Sequence, residues 1–459
     1  MAGTKDVSTI AAIRYGYGLS PDQSSPTDTQ ALLAQLDAPD TAALRWPLSG
    51  TEFMRQQMSD MRAARKAVRD GDESAQKRIK ATRKRVNDQM LVGLRAQLAR
   101  ASLSPQGLRE RLQYFWCNHF TVIGKTGVTA TAPDAFAKEA IRPHLTGTFA
   151  QMLRAAVTHP AMLLYLDQTR SVGPQSAYAK KRKNAGLNEN LGREVLELHT
   201  LGVAAPYTQE DVRQFAKLLT GLGFNAEQGF VFHTDWAQPG AELVLGQHYG
   251  GKTPAKLSDI YAALDDIALN PATAHHLAHK LAVHFVADQP DPDLVTHIAS
   301  AYLAHDSDLR ATYAAMLEHP AAWGPLGGKV RQPWDFMAAS LRAIAPPANM
   351  IADLDEKKTR SWIVAPLRAM GQPYHKALGP NGWAEDASAW ITPQALATRI
   401  SWAMRIAALY ERYLPDPRDF VHSALGDAAS PTLIQAAARA ESKREGIGLI
   451  LASADYNRR

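Results

Sequence analysis

Apolar residues recur along most of this chain at the three- and four-residue spacing that places them on one face of a helix. A polar residue followed by proline indicates where several of these helices begin, because proline is tolerated in the first helical turn. Such pairs occur at Ser104-Pro105, His159-Pro160, Asn270-Pro271, His319-Pro320 and Thr392-Pro393. We therefore interpret the histidines of these pairs as helix caps rather than as ligands.

Residues 229–251 do not follow the helical spacing. Residues 230–232 (Phe-Val-Phe) and 243–245 (Leu-Val-Leu) indicate two short strands around a Gln-Pro-Gly loop at residues 238–240. An isolated hairpin is only marginally stable, so we expect it to pack on the helices. The pattern predicts an all-α protein: one multi-helical domain over residues 1–459, with a small β-hairpin insertion and an N-terminal basic helical arm.

Positive charge is concentrated in that arm. Residues 55–100 hold 13 Lys and Arg against 5 Asp and Glu, whereas the whole chain carries a net charge of only +6. Gly71, flanked by two aspartates, is typical of the turn of a helical hairpin. No aromatic residue interleaves the basic ones to stack on bases, so nucleic acid is not an expected partner. A polar or anionic polymer, or an acidic partner protein, fits this segment better.

The composition, 46% hydrophobic and 21% charged, is that of a folded protein. The one cysteine, Cys117, excludes an internal disulfide framework and thiolate metal clusters. Residues 1–18 show no signal-peptide pattern, and no run of 18 apolar residues predicts a membrane span. The default expectation is therefore a cytoplasmic protein.

Ionisable groups are densest at residues 188–202, Asn-Glu-Asn-Leu-Gly-Arg-Glu-Val-Leu-Glu-Leu-His-Thr-Leu-Gly, which we call the signature segment. Asn188 is a good N-cap and Gly202 a natural residue to end a helix. Helical geometry then predicts one apolar stripe and, beside it, a polar stripe one turn from Arg193. The apolar stripe consists of Leu191, Val195 and Leu198, and the polar stripe of Asn190, Glu194 and Glu197.

The signature segment and the segment at residues 207–221 resemble the DUF1800 family, uncharacterised bacterial proteins that carry a domain of unknown function. Further similar motifs occur in order along most of the chain, although the loop after His233 departs from the family pattern. They lie at residues 115–120, 141–144, 160–167, 280–286, 371–373, 381–383, 390–391 and 451–456. The resemblance implies no established reaction. Many relatives are thought to be exported and to be encoded beside a sulfatase-like protein, which implies a periplasmic location by co-export as an alternative.

Two carboxylates in different environments are what acid–base hydrolysis of a glycan or other polar polymer requires. We predict Glu194 and Glu197 as the reactive carboxylates, with Glu189 as an alternative acid and Glu197 held ionised by Arg193. His119 would assist them, because it shares an inward helical stripe with Leu108, Leu112 and Phe115. The residues expected to contact the substrate are Arg193, Asn190, Asn118, Trp116, His199, Trp383 and Trp390.

Two alternatives stay open. The chain could instead be a non-enzymatic partner or export companion of the sulfatase-like protein, with the basic arm as its docking surface. It could also be a metalloprotein that uses His119, Glu194, Glu197 and His199. Glu197 and His199 are two residues apart and point in different directions on a helix, so the favoured hypothesis contains no metal and no other cofactor.

Overall fold

Helices form nearly all of the regular structure in the part of the chain that is described. The computed structural model describes residues 7–125, 127–182 and 186–459, without the side chains of residues 252–254. Residues 1–6 of the expected single domain therefore lie outside the described residues. The all-α prediction is confirmed.

The N-terminal half begins with short helices, and two long helices follow them. Its α-helices are α1 Val7–Ile10, α2 Thr29–Asp37, α3 Thr41–Arg45, α4 Thr51–Arg69, α5 Ala75–Leu103, α6 Gly107–His119, α7 Ala132–Phe136, α8 Phe149–Thr158, α9 Pro160–Tyr165, α10 Asn190–Glu194 and α11 Gln209–Leu218. Turns of π-helix occur at Ala11–Tyr15, Ala137–Ile141 and Val195–His199. Short 3₁₀ turns occur at Gly127–Thr129, Arg142–His144, Gln168–Arg170 and Ala179–Lys181.

The C-terminal half, which follows four short strands, is also built mainly from helices. Its α-helices are α12 Leu257–Ala268, α13 Pro271–Phe285, α14 Pro292–Ala304, α15 Leu309–Glu318, α16 Pro333–Ile344, α17 Asn349–Ala352, α18 Glu356–Thr359, α19 Ala365–Ala369, α20 Pro393–Leu409, α21 Pro417–Leu425, α22 Pro431–Ala438, α23 Lys443–Ala452 and α24 Ala454–Asn457. One further π-helical turn spans Arg360–Val364. The 3₁₀ turns are Pro320–Trp323, Ala387–Ala389, Glu411–Tyr413 and Gly426–Ala428.

Local capping chemistry sets many of these boundaries. The ring Nδ1 of His159 accepts the backbone N–H of Ala161, and His319 caps the following 3₁₀ turn in the same way. Both histidines precede a proline, so their predicted role as caps is confirmed. Thr148 and Thr208 start α8 and α11 with reciprocal capping boxes.

The strands form two separate antiparallel hairpins. β1 (Leu222–Asn225) pairs with β2 (Gly229–Phe232), and β3 (Pro239–Val244) pairs with β4 (Gln247–Pro254). The expected pairing of residues 230–232 with residues 243–245 is therefore wrong, because each of these segments pairs with its nearest neighbour across a shorter turn. Gly229 and Gly246, both with positive φ, sit at these turns.

Helices α4 and α5 lie along each other and contain the basic arm. They are joined at Gly71, whose φ of 92° lies in the left-handed region. The inner face of α4 buries Met54, Gln57, Met61 and Ala64, at intervals of three and four residues, and this leaves its arginines outward.

Two hydrophobic cores share the interior. One is built mainly from α6, α8, α9 and α11 to α15, and the other from α5, α16 and α19 to α23. Helix α6 lies between them, since Cys117 packs against both. The cores meet along this helix, which makes it a central element of the fold.

A cluster of buried charges connects distant parts of the chain beside α16. Asp335 lies 2.9 Å from the guanidinium of Arg111, 3.1 Å from that of Arg331 and 3.2 Å from Nε of Arg459. Arg111 also donates to the carbonyl of Gly16. Burial of these charges is tolerated because each arginine finds an acceptor or the carboxylate.

Candidate functional site

The signature segment begins as an α-helix and widens into a π-helical turn. Asn188 accepts the backbone N–H of Asn190 through its side chain at 3.0 Å, and α10 then runs for five residues. Gly192 allows the close approach of α11, because a Cβ there would lie 3.2 Å from the backbone of Ala216. Gly202, with φ of 89°, ends the segment as expected.

The π-turn at Val195–His199 changes which residues face the core. Leu191 and Val195 are buried as predicted, but the next buried residues are Leu196 and His199, whereas Leu198 is partly exposed. A π-turn holds one more residue than an α-turn, so it rotates the residues that follow it. The prediction of Leu198 on the core stripe is therefore wrong.

Three glutamates and Arg193 lie together on the outer side of the segment. Arg193 bridges Glu189 at 3.3 Å and Glu197 at 3.2 Å, one helical turn away on either side. Gln209 at the start of α11 donates to Glu189 and accepts from Arg193. Glu189 and Glu197 are therefore both paired with the same guanidinium group.

Glu194 stands apart from this network. It is half-buried and forms neither a hydrogen bond nor an ion pair with another described residue. Burial, and after it the charge of Glu197, raise the pKa of Glu194, while Arg193 acts in the opposite direction. Glu197 instead is ion-paired with Arg193, and burial followed by the charge of Glu197 raises the pKa of the nearby Tyr207 phenol. Two carboxylates one turn apart thus occupy different electrostatic environments.

Tyr165, at the end of α9, belongs to the same neighbourhood. Burial and then the charge of Glu194 raise the pKa of its phenol. Lys125 lies 5.7 Å from the centre of the Tyr165 ring and 2.7 Å from Asp167. Glu194 therefore lies near one phenol, that of Tyr165, and Glu197 near a second, that of Tyr207.

An open groove lies between α4 and the β1–β2 hairpin, and no residue of the signature segment is among its described lining residues. It encloses about 1610 Å³ of space open to solvent, and its wall includes Leu164, the residue before Tyr165. Three exposed arginines of α4 line it: Arg62, Arg65 and Arg69. None of them is hydrogen-bonded or ion-paired to another described residue.

His119 is buried on α6 and contacts the signature segment at its end. Its Nε2 lies 3.0 Å from the carbonyl oxygen of His199, so that nitrogen donates the hydrogen bond. No hydrogen bond joins His119 to Glu194 or Glu197 in the described structure. The expected pairing of His119 with these glutamates is wrong, because the π-turn presents a backbone carbonyl to the imidazole instead.

Basic groups gather around that end of the segment. His199 is buried, and neither of its ring nitrogens has a hydrogen-bond partner among the described residues. Burial, together with Lys280 and His276, lowers its pKa to about 3. Burial also lowers the pKa of Lys280 to about 8, against the opposing charge of Glu385. The imidazoles here are neutral at physiological pH.

The remaining predicted substrate contacts divide into buried anchors and accessible groups. Trp116 is fully buried and donates to the hydroxyl of Tyr313, and Trp390 is 3% exposed and donates to the carbonyl of Ala384. Their burial makes them parts of the core rather than substrate contacts. Asn118 accepts the backbone N–H of Trp383 at 2.7 Å, while Asn190 is exposed on the signature segment.

The described residues show no cluster of side chains that matches the metal-binding alternative. Across the residues that the structure describes, His, Cys, Asp and Glu side chains nowhere gather in threes as a metal site would need. His119 and His199 lie near each other, with ring centres 5.9 Å apart, but the charges acting on them come from other basic groups.

In the same described part of the chain, no helix is both long and apolar enough to cross a bilayer.

Tyr165, Tyr207, Gln209 and Lys280 were not predicted as site residues. Tyr207 and Gln209 lie in the motif at residues 207–221, close after the signature segment in the sequence, so proximity was the available signal. Lys280 gives no such signal, because His199 and Glu385, with which it interacts, lie far from it in the sequence.

Comparison with known proteins yields one match. A family model described as "Protein of unknown function (DUF1800)" matches residues 10–458. No curated protein and no solved structure matches the chain.

Proposed function

This chain belongs to the DUF1800 family, and we propose that it is a hydrolase that cleaves a glycan or another polar polymer. Glu194 is the general acid in this proposal, and Glu197 is the ionised carboxylate. The observation that carries it is the contrast between their environments: Glu194 is half-buried without a partner among the described residues, whereas Glu197 is ion-paired with Arg193.

The chemistry follows from that contrast. A carboxyl group whose pKa is raised by burial retains its proton nearer neutral pH and can donate it to the oxygen of a leaving group. The ionised Glu197 can then activate a water molecule or attack the sugar directly, depending on how far it lies from the scissile bond. Arg193 keeps Glu197 charged, and Glu189 shares that arginine, so Glu189 is a positioning residue.

The groove beside α4 supports a polymer as the substrate. It is open to solvent, and three arginines without a described partner, Arg62, Arg65 and Arg69, line it together with one carboxylate, Glu227. Cations spaced three and four residues apart on a helix lie on one face and can follow successive anionic groups of an extended chain. An anionic glycan therefore fits better than a neutral one.

The test is release of reducing ends from polygalacturonate, alginate and heparin, with xylan as a neutral comparison. We expect cleavage of an anionic polymer by the wild type and a loss of about 10²–10⁴-fold in Glu194→Gln or Glu197→Gln. Glu210→Gln, an exposed carboxylate on α11, is the matched control. Full activity in the Glu194→Gln, Glu197→Gln double variant would rule the mechanism out, and no cleavage of any of these polymers would remove the substrate class.

A non-enzymatic role as the companion of a sulfatase-like protein is the second candidate. Exposed and unpaired basic groups on α5 favour it, since Lys77, Lys80 and Arg83 have no hydrogen-bond or ion-pair partner among the described residues. Reversal of these three charges should then abolish complex formation, which co-purification measures. A periplasmic location by co-export belongs to this candidate, and a cytoplasmic one to a hydrolase that acts alone.

A further inference from the structure

A cavity lies where the two hydrophobic cores meet, on the side of α6 away from His119. It encloses about 890 Å³, part of it open to solvent, and residues of α5, α6, α7, α16, α19 and the segment 372–383 line it. No residue of the signature segment is in its wall. The enclosed room is about 100 Å³, which is of the same order as the roughly 150 Å³ apolar cavity that holds one benzene ring.

The cavity wall is mainly aromatic and aliphatic. Trp334, Trp383, Tyr114, Phe136 and Leu367 are among the residues that line it. The phenol of Tyr114 already donates to Gln332 and accepts from Gln372, so its polar end is satisfied. Such walls favour flat apolar rings, which pack against aromatic faces.

The charged groups at the wall already have side-chain partners. Glu110 is bound by Arg142 through two contacts, of 2.7 and 3.0 Å. Asp134, behind the wall, accepts from Gln97 and Tyr374 and lies 3.0 Å from His375. A charged ligand would find no unpaired ion of opposite sign among the described lining residues, so an uncharged ligand is favoured.

One polar side chain in the wall, that of Gln113, has a hydrogen-bond donor that no described residue uses. Gln113 is 5% exposed, and its side-chain oxygen accepts from Arg142. Its amide N–H₂ has no acceptor among the described residues, although the residue lines the cavity. This amide nitrogen retains some contact with the open space of the cavity, so it can donate to the acceptor of a ligand that enters there.

The segment 372–383 closes the outer side of the cavity and is held at both ends. Gln372 donates to Tyr114 at 2.8 Å, and Trp383 is held by Asn118. Between them, Ala377 lines the cavity while its neighbour Leu378 is fully exposed to solvent. The wall is therefore preorganised, with its mouth at the middle of this segment.

We propose that this cavity binds an uncharged compound of one aromatic ring whose hydrogen-bond acceptor meets the side-chain amide of Gln113. The site is separate from the Glu194 and Glu197 carboxylates and does not depend on the proposed hydrolysis. Ring stacking supplies the affinity, and the single acceptor fixes the orientation.

The test measures binding of three probes of similar size by calorimetry and by quenching of tryptophan fluorescence. Acetophenone carries a ring and an acceptor, toluene lacks the acceptor, and benzoate adds a negative charge. We expect acetophenone to bind at least ten-fold more tightly than benzoate and several-fold more tightly than toluene. Equal affinity for all three, or no binding of acetophenone at millimolar concentration, would overturn the proposal.

Two variants of adjacent residues locate the binding. Ala377→Trp fills the mouth and should abolish acetophenone binding, whereas Leu378→Trp adds the same side chain to solvent and should leave it unchanged. Glu194→Gln should bind acetophenone like the wild type, so failure of the hydrolase proposal and failure of this one are distinguishable. Undiminished binding to Ala377→Trp would show that the probe binds elsewhere.

Discussion

Asp335→Asn tests how far the buried charge cluster stabilises the fold. The carboxylate is 3% exposed and lies within 3.2 Å of three guanidinium groups, those of Arg111, Arg331 and Arg459. Asparagine has nearly the same shape but no charge, so it leaves the arginines buried without their counter-ion. Breaking a buried pair in this way costs about 3–5 kcal/mol.

The size of the chain converts that cost into a modest shift of the melting temperature. Unfolding entropy of about 2.1 cal/mol/K per residue, over 459 residues, gives about 1 kcal/mol per kelvin. We therefore expect Tm to fall by about 3–5 °C, and urea unfolding followed by circular dichroism measures the free energy directly. Asp37→Asn is the control, because its pair with Arg310 is largely exposed and contributes under about 1 kcal/mol.

The effect has a defined pH window. Burial acts to raise the pKa of Asp335, but Arg111, Arg331 and Arg459 outweigh it and hold the pKa below its usual value. The stabilisation is then complete above the unfolded pKa of about 3.9 and is lost as the pH falls through the folded value. A loss of under about 1 kcal/mol at pH 7, or a difference from the wild type that closes between pH 7 and pH 5, would refute this reasoning.

Three further predictions concern the site and its surroundings. Glu194→Gln should raise Tm at pH 7, because burial and then the charge of Glu197 raise the pKa of Glu194 in the folded protein. The gain should vanish below about pH 4, where the carboxyl is protonated in the unfolded protein as well. An unchanged Tm at pH 7 would contradict this prediction. Gly382→Ala should cost about 1–3 kcal/mol in urea unfolding, because φ is 76° and the new Cβ would lie 2.4 Å from the carbonyl oxygen of Asn118; Lys376→Ala in the same loop should cost little. Replacing Arg62, Arg65 and Arg69 with Gln should weaken heparin binding at least ten-fold, whereas the same change at Lys77, Lys80 and Arg83 should not, and equal losses would remove the groove as the binding surface.

Features that depend on neighbours in sequence were predictable. The caps at His159 and His319 follow from a polar residue before proline, and the all-α class follows from the spacing of apolar residues. The adjacency of Arg193, Glu189 and Glu197 likewise needs only the periodicity of one helix. In each case the partners lie within about one turn of each other.

Features that depend on packing were not predictable. The π-turn at Val195–His199 has no distinctive composition, yet it exchanges Leu198 for Leu196 on the core face. The bond from His119 to the carbonyl of His199 joins residues 80 positions apart, and periodicity gives no information on such partners. The cavity was missed for the same reason, since its wall combines Gln113, Trp334 and Trp383 from three separate stretches of sequence.

The buried arginines also affect how this chain folds during synthesis. Arg14 donates to the carbonyl of Ala322 and Arg342 to that of Gly18, contacts that span 308 and 324 positions. Contacts of such long range slow folding, because the chain loses the entropy of closing a long loop before the stabilising interactions form. During synthesis the first 120 residues therefore cannot complete their packing until α16 has left the ribosome. Until then part of their apolar surface stays exposed to solvent. Fragments cut between α6 and α16 should aggregate rather than fold, and expression at low temperature or with chaperones should increase the yield of the whole chain.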